Sequence, residues 1–417
     1  MSTSASRVLR RSRRRLATVI RDRQWALPLI GAAVGIALGL ALFNLGGTPG
    51  DDWAITVSLA RATLATLVAL MFTILSLSLS LTTLTLDNVS SHFSLRMLTI
   101  SVNDYRTKVA TSVFALAVSF IGVELFKLTG FASDDLTPRG PFVVAVTLIV
   151  LSGIALFWQL NYTIQSLRLD RSLSRLERVI RRSANADERR FRGWTIAARP
   201  EATDRCVPVL AAHSGYIVEI DLDVIHDAAV RNHGQVVISR RVGDPVVAGE
   251  KIGWLAVDGT AVSEQILDDL RSGAQVEADR DVAHDVGFGI RILVDIASLA
   301  LSPAVNDPYT GVQVVDKLAI VFADLTGRHL GPRALTSDDG VIAWVAAPTL
   351  ADHLELATAQ ISGYGRSEPS VIEALVRLCD TVEHCATAEV EREAAAVRRL
   401  ELLETASRPT NVPGSEP

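Results

Sequence analysis

The sequence predicts a polytopic α-helical membrane protein with four transmembrane helices and a cytoplasmic α+β domain that contains a small barrel-sandwich-like β unit. Three observations predict this fold class. Four apolar stretches, each close to the ~20 residues that cross a bilayer, lie in the first ~165 residues. Basic residues collect on alternate sides of these stretches. Beyond them, the pattern changes first to that of strands and then to that of amphipathic helices.

The four apolar stretches define a predicted membrane domain, residues 26–165. The predicted spans are Ala26–Leu45, Val57–Leu86, Val109–Leu128 and Pro141–Tyr162. The second is longer than the hydrocarbon core requires, so we expect it to tilt or to project into the cytoplasm. A cleaved signal peptide is the alternative for the first span, but the apolar core is too long and Asn44–Gly50 is a weak cleavage site.

Arginine and lysine predict the orientation of the spans, because cytoplasmic flanks are enriched in basic residues. Residues 1–25 form a basic segment, whereas the first loop has Asp51 and Asp52 and the third has a single basic residue, Arg139. The second loop and the segment after the fourth span are basic: Arg96, Arg106 and Lys108, and then Arg168, Arg171, Arg175, Arg178, Arg181 and Arg182. Both termini are therefore predicted to be cytoplasmic, in a bacterial inner membrane.

Composition narrows the choice of partners. The net charge of −5 argues against nucleic acid, whereas the basic N-terminal segment favours contact with membrane lipids. Cys206, Cys379 and Cys385 all fall on the predicted cytoplasmic side, where thiols stay reduced, and they lack metal-ligand spacing. The sequence predicts neither a metal site nor a cofactor.

Glycine recurs every four residues in the first span, at Gly31, Gly35 and Gly39. This spacing places three positions without side chains on one helix face, where another backbone can approach closely. The partner is either a span of the same chain or a span of a neighbouring subunit.

Hydroxyl groups are frequent in the second span. Thr73, Ser76, Ser80 and Thr83 fall on one helix face, which is a candidate lining for an aqueous path in an oligomer. The alternative is that each hydroxyl bonds to a backbone carbonyl of its own helix and aids helix packing.

Two charged residues lie about one turn below the outer ends of their spans. Arg61 belongs to the second span and Glu124 to the third. Because an unpaired charge is costly inside a membrane, we expect the two to face each other as an ion pair. Such a pair is either a structural clamp or a coupling-ion or gating site.

The segment after the fourth span divides into four predicted regions. Residues 166–195 are a helical connector, 196–260 a β unit, 261–405 an α-rich region and 406–417 a polar tail that we expect to be disordered. Helices are predicted at Glu264–Arg271, Phe288–Leu301, Tyr309–Leu325, Pro348–Ser362, Glu368–His384 and Ala388–Ala406, and a buried strand at Val341–Ala347.

The predicted β unit consists of two strand–turn–strand segments with Gly215, Gly243 and Gly249 at the turns. These segments resemble the halves of the barrel-sandwich in biotinyl and lipoyl carrier domains. Carrier domains expose a modifiable lysine between the halves, but residues 221–241 contain no lysine. The resemblance therefore implies a scaffold or docking barrel and not a carrier.

Polar residues are dense around the predicted helix Phe288–Leu301. The candidate ligand-binding residues are Asp285, Arg291, Asp295, Asn306 and Asp307. Helix capping by the acids and salt bridging between helices explain the same residues without a ligand. The sequence is compatible with both a ligand-binding site and a purely structural role.

Two blocks of sequence resemble a known family. The run Ser76–Leu98, SLSLSLTTLTLDNVSSHFSLRML, is similar to a stretch of an uncharacterised bacterial membrane family, domain of unknown function 2254. Asp285–Leu318 is similar to a second block of that family, and the order of the blocks is the same. Leu95 stands where the family has proline, which puts only the local turn in doubt. The resemblance implies a membrane location and four spans, but no activity and no catalytic residue.

No enzyme pattern fits the chain, and we identify no catalytic residue. His226–Asp227 and His284–Asp285 lack the context of a His-Asp metal phosphohydrolase, and we expect His353 on the surface. The leading hypothesis is a homo-oligomer with a channel- or transport-like role and a cytoplasmic regulatory domain. The alternative is a membrane-anchored sensor or scaffold whose cytoplasmic domain binds a small ligand or a partner protein. An enzyme is the third hypothesis.

Overall fold

The computed structural model of the protein describes residues 26–45, 54–92 and 105–407, apart from short gaps at 134, 139, 167–168, 203–204, 232, 257–261, 329 and 338–339. Several expectations lie outside the described residues: the basic segment 1–25, most of the predicted tail, and Asp51, Asp52, Leu95, Arg96, Arg139 and Arg168. The chain divides into two compact units, an N-terminal unit that ends at Leu169 and a C-terminal unit that begins at Asp170.

The N-terminal unit is built from long apolar helices. They are α1 (Ala26–Leu45), α2 (Val57–His92), α3 (Tyr105–Leu128) and α4 (Gly140–Ser166). Three are long and apolar enough to cross a membrane, over Val57–Leu84, Arg106–Leu128 and Gly140–Thr163. Helix α1 contributes a shorter apolar stretch, Ala26–Leu42. The described residues thus contain three such helices where the sequence predicted four.

Helix α3 lies at the centre of the N-terminal unit. Its Phe114, Phe120 and Ile121 are fully buried and share a hydrophobic core with Leu64 and Met71 of α2. The strands β1 (Ala54–Thr56) and β2 (Leu136–Pro138) pair antiparallel and join two connecting segments. Large apolar side chains elsewhere are exposed, as suits helices surrounded by lipid: Phe72, Phe126, Ile154 and Phe157.

The C-terminal unit contains short strands that form two sheets. The strands are β3 (Thr195–Ile196), β4 (Cys206–Leu210), β5 (Gly215–Ile220), β6 (Val236–Ile238), β7 (Pro245–Val246), β8 (Lys251–Ala256), β9 (Ala274–Glu277), β10 (Arg333–Ser337) and β11 (Gly340–Val345). The larger sheet has the order β3-β10-β11-β6-β8-β4 and the smaller sheet the order β7-β5-β9. Only the β11–β6 pair of the larger sheet is parallel.

The sheets differ from the two strand–turn–strand segments that the sequence predicted. Strands β4 and β5 belong to different sheets and do not pair with each other, and a helix separates β5 from β6. Strands β10 and β11, from the predicted α-rich region, complete the larger sheet. Gly243 and Gly249 do occupy turns with positive φ angles of 93° and 83°. The strands of residues 196–260 therefore share their sheets with β9, β10 and β11 of the predicted α-rich region.

Helices pack around the sheets. They are α5 (Leu169–Arg190), α6 (Leu222–Arg231), α7 (Glu264–Gly273), α8 (Val286–Ala300), α9 (Pro308–Leu325), α10 (Leu350–Tyr364), α11 (Pro369–Cys385) and α12 (Glu389–Ser407). The ends of the predicted helices agree with these bounds to within about three residues, which is the usual scatter of such assignments. Helix α6 was not predicted. Acidic or hydroxyl residues begin several of the helices, and Thr349 forms a capping box with Asp352 at the start of α10.

Candidate functional site

The glycine stripe of α1 lies against the backbone of α3. Gly31, Gly35 and Gly39 are all buried. A Cβ atom on Gly31 would lie 2.4 Å from the carbonyl oxygen of Ser112, and one on Gly35 would lie 2.3 Å from that of Leu116. A side chain has no room at either position. The partner of the stripe is therefore a helix of the same chain.

The predicted ion pair between Arg61 and Glu124 is not formed in the part of the chain that the structure describes. Glu124 instead pairs with Lys127, whose Nζ atom lies 3.4 Å from Oε1 of Glu124. Lys127 also donates a hydrogen bond to the carbonyl of Gly39, which ties α3 to α1. Lys127 competes successfully for Glu124 because it lies one turn away on the same helix.

Arg61 has a different role at the C-terminal end of α3. Its Nη2 atom donates to the carbonyl oxygen of Leu128 at 2.7 Å and to that of Phe131 at 3.2 Å. The last carbonyls of a helix lack intrahelical donors and carry partial negative charge, so they attract a guanidinium group. Arg61 is thus a helix cap from a neighbouring helix.

The hydroxyl face of α2, formed by Thr73, Ser76, Ser80 and Thr83, is exposed on the surface of the single-chain bundle. Thr73, Ser80 and Thr83 each donate to the carbonyl four residues earlier, at 3.1, 2.9 and 3.1 Å. The hydroxyl groups of these three residues therefore donate within the helix. Each oxygen keeps a lone pair that can accept a further hydrogen bond or coordinate a cation.

A second polar group, which the sequence did not single out, is buried between α2 and α4. Ser78 donates to Oε1 of Gln159 at 2.7 Å, and Nε2 of Gln159 lies 3.2 Å from the hydroxyl oxygen of Thr82. Ser78 and Gln159 are each 2% exposed. An amide side chain within an apolar span was the available signal, because a buried amide needs hydrogen-bond partners.

In the C-terminal unit, the five candidate residues around α8 do not converge on one site. Asp285 caps the start of α8, whereas Asp307 caps α9 after the far end of α8. A helix of 15 residues is ~22 Å long, so the two carboxylates lie at opposite ends. Arg291 pairs with Asp295 at 3.1 Å along the helix, and Asn306 lies in the link with a φ of 49°.

The structure brings a different set of residues together at the start of α8. Asp285 is 6% exposed and accepts from the backbone N–H of Phe288 at 2.8 Å. Arg280 donates to the other carboxylate oxygen, with Nη2 at 2.6 Å and Nε at 2.9 Å. Burial raises the pKa of Asp285, although Arg280 opposes the shift. The turn at Gly243 leaves room for this pair, since a Cβ there would lie 2.5 Å from Arg280.

His353 of α10 faces the same place. His353 is 3% exposed. A Cβ atom placed on Gly287 would lie 3.3 Å from Cε1 of His353 and 3.4 Å from Oδ1 of Asp285, so both side chains border the same glycine. Burial lowers the pKa of His353 to about 4, so the ring is neutral at pH 7. Among the described residues, the ring has no hydrogen-bond partner. The expectation that His353 lies on the surface was wrong.

A second ion pair closes this cluster. Arg241 Nη1 lies 3.3 Å from Oδ2 of Asp352, the residue before His353. Burial acts to raise the pKa of Asp352, but hydrogen bonds from Thr349 and the charge of Arg241 outweigh it and lower the pKa. We name the group formed by Arg241, Arg280, Asp285, Asp352 and His353 the polar junction. Its charged side chains form two ion pairs, and among the described residues His353 is the member without a hydrogen-bond partner.

Three further features of the described residues were considered as metal-binding or reactive sites. Among the described residues, no group of three or more His, Cys, Asp and Glu side chains could hold a metal ion. Burial raises the pKa of the Cys379 thiol to about 12, so that thiol is unreactive at neutral pH. His226 and Asp227 are exposed on α6, with the ring nitrogen and the carboxylate 3.8 Å apart.

Comparison with known proteins agrees with the apolar character of the N-terminal unit. A family model described as "Predicted membrane protein (DUF2254)" matches residues 21–381. The chain is 30% identical over 408 residues to a protein of Mycobacterium bovis, a match that covers 91% of this chain and 75% of the relative. A protein of Mycobacterium tuberculosis matches with the same values. Both relatives are described as uncharacterised. No solved structure matches the chain.

Proposed function

Because the chain belongs to the DUF2254 family of predicted membrane proteins, we propose that it acts in the membrane, as a homo-oligomer with a channel- or transport-like role. Four helices span the bacterial inner membrane in this proposal, with α1 as the first span. Both termini and the C-terminal unit are cytoplasmic, because the basic flanks precede α1 and follow α4. The C-terminal unit acts as a scaffold that regulates the path.

The hydroxyl face of α2 is the observation that carries this proposal. Thr73, Ser76, Ser80 and Thr83 are exposed on the outside of one chain, while the inside of the bundle is filled by apolar side chains such as Met71 and Phe114. Among the described residues, the buried polar side chains Ser78 and Gln159 at this level bond to each other and do not line a path within one chain. Several copies that place their α2 faces around a common axis would surround a row of hydroxyl oxygens.

The hydrogen bonds of the hydroxyl face favour a cation over an anion. Thr73, Ser80 and Thr83 already donate hydrogen bonds to carbonyls of α2. Their oxygens can therefore act only as acceptors toward the path. Rings of oxygen acceptors can replace part of the hydration shell of a cation. The proposed permeant species is thus a small cation.

Flux through purified protein in liposomes tests the proposal. We expect potassium flux down a KCl gradient from the wild-type protein, and a loss of at least tenfold from a variant with Thr73→Val, Ser76→Ala, Ser80→Ala and Thr83→Val. The matched control is Thr147→Val, which removes an exposed hydroxyl that bonds to its own helix α4. Absence of wild-type flux under every salt gradient, or a strictly monomeric protein, would refute the proposal.

The polar junction favours a second candidate function, a membrane-anchored sensor. His353 is buried, neutral at pH 7 and without a hydrogen-bond partner among the described residues, so it can donate to or accept from a small polar ligand. A thermal-shift screen of the full chain in detergent tests this function. A compound that raises the melting temperature of the wild-type protein but not that of His353→Phe supports the sensor, and wild-type flux without any such compound supports the channel.

A further inference from the structure

Four arginines of α5 form a stripe along one side of the helix. Arg171, Arg178, Arg182 and Arg189, which we name the arginine stripe, are exposed and follow one another at steps of seven, four and seven residues. Since each residue turns a helix by ~100°, these steps keep all four within ~40° around the axis. The buried face lies on the opposite side of the helix: Leu173, Leu176, Ile180, Ser183 and Ala184.

Two other arginines in the C-terminal half of α5 form ion pairs with acidic residues of other elements. Arg181 lies 3.1 Å from Asp324 of α9, and Arg190 lies 3.7 Å from Glu219 of β5. Glu177 of α5 is similarly engaged, since it lies 3.3 Å from Lys317. These contacts flank the buried face and fasten α5 to the rest of the C-terminal unit.

In the part of the chain that the structure describes, the arginine stripe makes no such contacts. Within the described residues, none of its four guanidinium groups has a carboxylate within 4.0 Å. Arg178 donates only to the carbonyl of Ser174 on its own helix, at 3.1 Å. Among the described residues, these four positive charges thus lie along ~27 Å of helix without an ion-pair partner. Folding of the unit does not account for their position.

Lipid phosphate groups are the available counter-charge, because α5 follows α4 almost directly in the chain. Helix α4 ends at Ser166 and α5 begins at Leu169, and the two residues between them let the helix ends lie at most ~11 Å apart. The start of α5 therefore stays near the lipid headgroups if α4 crosses the membrane. Juxtamembrane basic clusters are attracted to the anionic lipids of the cytoplasmic leaflet. The planar guanidinium group in particular binds phosphate oxygens through two hydrogen bonds.

We propose that the arginine stripe is a binding surface for the phosphate groups of anionic phospholipids. In this arrangement α5 lies along the headgroups, with its apolar face toward the C-terminal unit and its arginines toward the lipid. The inference rests on the cytoplasmic placement of the C-terminal unit in the proposed function, but it does not depend on ion conduction. The stripe would then make the position of the C-terminal unit sensitive to lipid charge.

Hydrogen–deuterium exchange of the full chain in lipid nanodiscs tests the proposal. We expect the amides of residues 169–190 to exchange at least about fivefold more slowly in nanodiscs with 30% phosphatidylglycerol than in pure phosphatidylcholine, since one headgroup-bound arginine contributes about this factor. High salt should reverse the protection. The variant Arg171→Gln, Arg178→Gln, Arg182→Gln and Arg189→Gln should exchange equally fast in both lipids.

The matched control removes the same charge elsewhere, through Arg231→Gln, Arg271→Gln, Arg377→Gln and Arg392→Gln on other helices. It should keep the protection by phosphatidylglycerol. Equal exchange of the wild-type protein in the two lipids would overturn the proposal. So would equal loss in the control, or equal protection by inorganic phosphate added to phosphatidylcholine nanodiscs, which would identify a site for soluble anions. Because liposome flux is measured separately, failure here is distinguishable from failure of the proposed channel.

Discussion

Gly35 of α1 lies so close to Leu116 of α3 that a Cβ on the glycine would come within 2.3 Å of the leucine carbonyl oxygen. Gly31 makes the same approach to Ser112 one turn earlier. Backbone contact of this kind gives van der Waals attraction over a long interface without a need for large side chains. Helix α1, with a shorter apolar stretch than its neighbours, is thus held to the bundle by close packing against α3.

We predict that Gly35→Ala destabilises the N-terminal unit. The added methyl group has only backbone atoms to displace, so α1 and α3 must separate, at a cost of about 1–3 kcal/mol. The control is Gly153→Ala in α4, where an added Cβ meets nothing within 4 Å and alanine favours the helix. Thermal unfolding in detergent should show a lower melting temperature for the first variant only. Equal melting of the two variants would contradict the packing.

We predict that Arg61 and Glu124 are not energetically coupled. A double-mutant cycle with Arg61→Gln and Glu124→Gln should give an interaction energy below about 0.5 kcal/mol. The corresponding cycle for Glu124 and Lys127 should give a larger value, because their side chains lie 3.4 Å apart. Arg61→Gln alone should destabilise by about 1–3 kcal/mol, since it removes a charged donor from the carbonyls of Leu128 and Phe131. A strong coupling energy between Arg61 and Glu124 would contradict this prediction and would support the ion pair expected from the sequence.

The features predicted correctly in the N-terminal unit are those that a single helix determines. The spacing of Gly31, Gly35 and Gly39 predicted a close helix contact, and the structure supplies it. The identity of the partner needed tertiary information, because a glycine stripe fits any smooth backbone. The partner of Arg61 was missed for a related reason. The positions of Arg61 and Glu124 in their spans predicted that the two charges lie at the same depth in the membrane. Those positions did not reveal that Lys127 and the terminal carbonyls of α3 are alternative partners.

In the C-terminal unit, helix ends were predictable because capping is local. Asp285, Asp307 and Thr349 each accept a hydrogen bond from a backbone N–H three residues later, and the sequence had suggested capping for the two acids. The sheets were not predictable, since β10 and β11 join strands more than ~75 residues earlier in the chain. The burial of His353 was predictable, because this residue shares helical spacing with the buried Leu350, Ala357 and Ile361.

We predict that Gly243→Ala disturbs the polar junction whereas Gly249→Ala does not. Both glycines have positive φ angles, so both substitutions cost about 1–2 kcal/mol in backbone conformation. Only at position 243 does the new Cβ come within 2.6 Å of Arg280 and Asp285, which must then move apart. Thermal unfolding should show a loss larger by about 1–3 kcal/mol for Gly243→Ala. Equal losses in the two variants would show that the ion pair adapts without cost.

We predict that His353 makes the C-terminal unit less stable at acidic pH. Burial lowers the pKa of His353 from 6.5 to about 4, so between these values the unfolded chain binds a proton that the folded protein does not. Stability is therefore unaffected by this group above pH 6.5 and falls as the pH drops from 6.5 toward 4, by about 3 kcal/mol in total. His353→Leu should flatten this part of the curve of melting temperature against pH, measured for the full chain in detergent.

The control for this prediction is His226→Leu, since His226 is exposed on α6 and its side chain keeps 47% of its surface accessible. This variant should follow the wild-type curve from pH 7.5 to 4.5. Buried Asp285, whose pKa is raised, contributes a slope of the opposite sign in all three proteins. The informative quantity is therefore the difference between the wild-type and His353→Leu curves. A difference that stays constant across this pH range would mean that His353 accepts a proton as easily in the folded protein as in the unfolded chain.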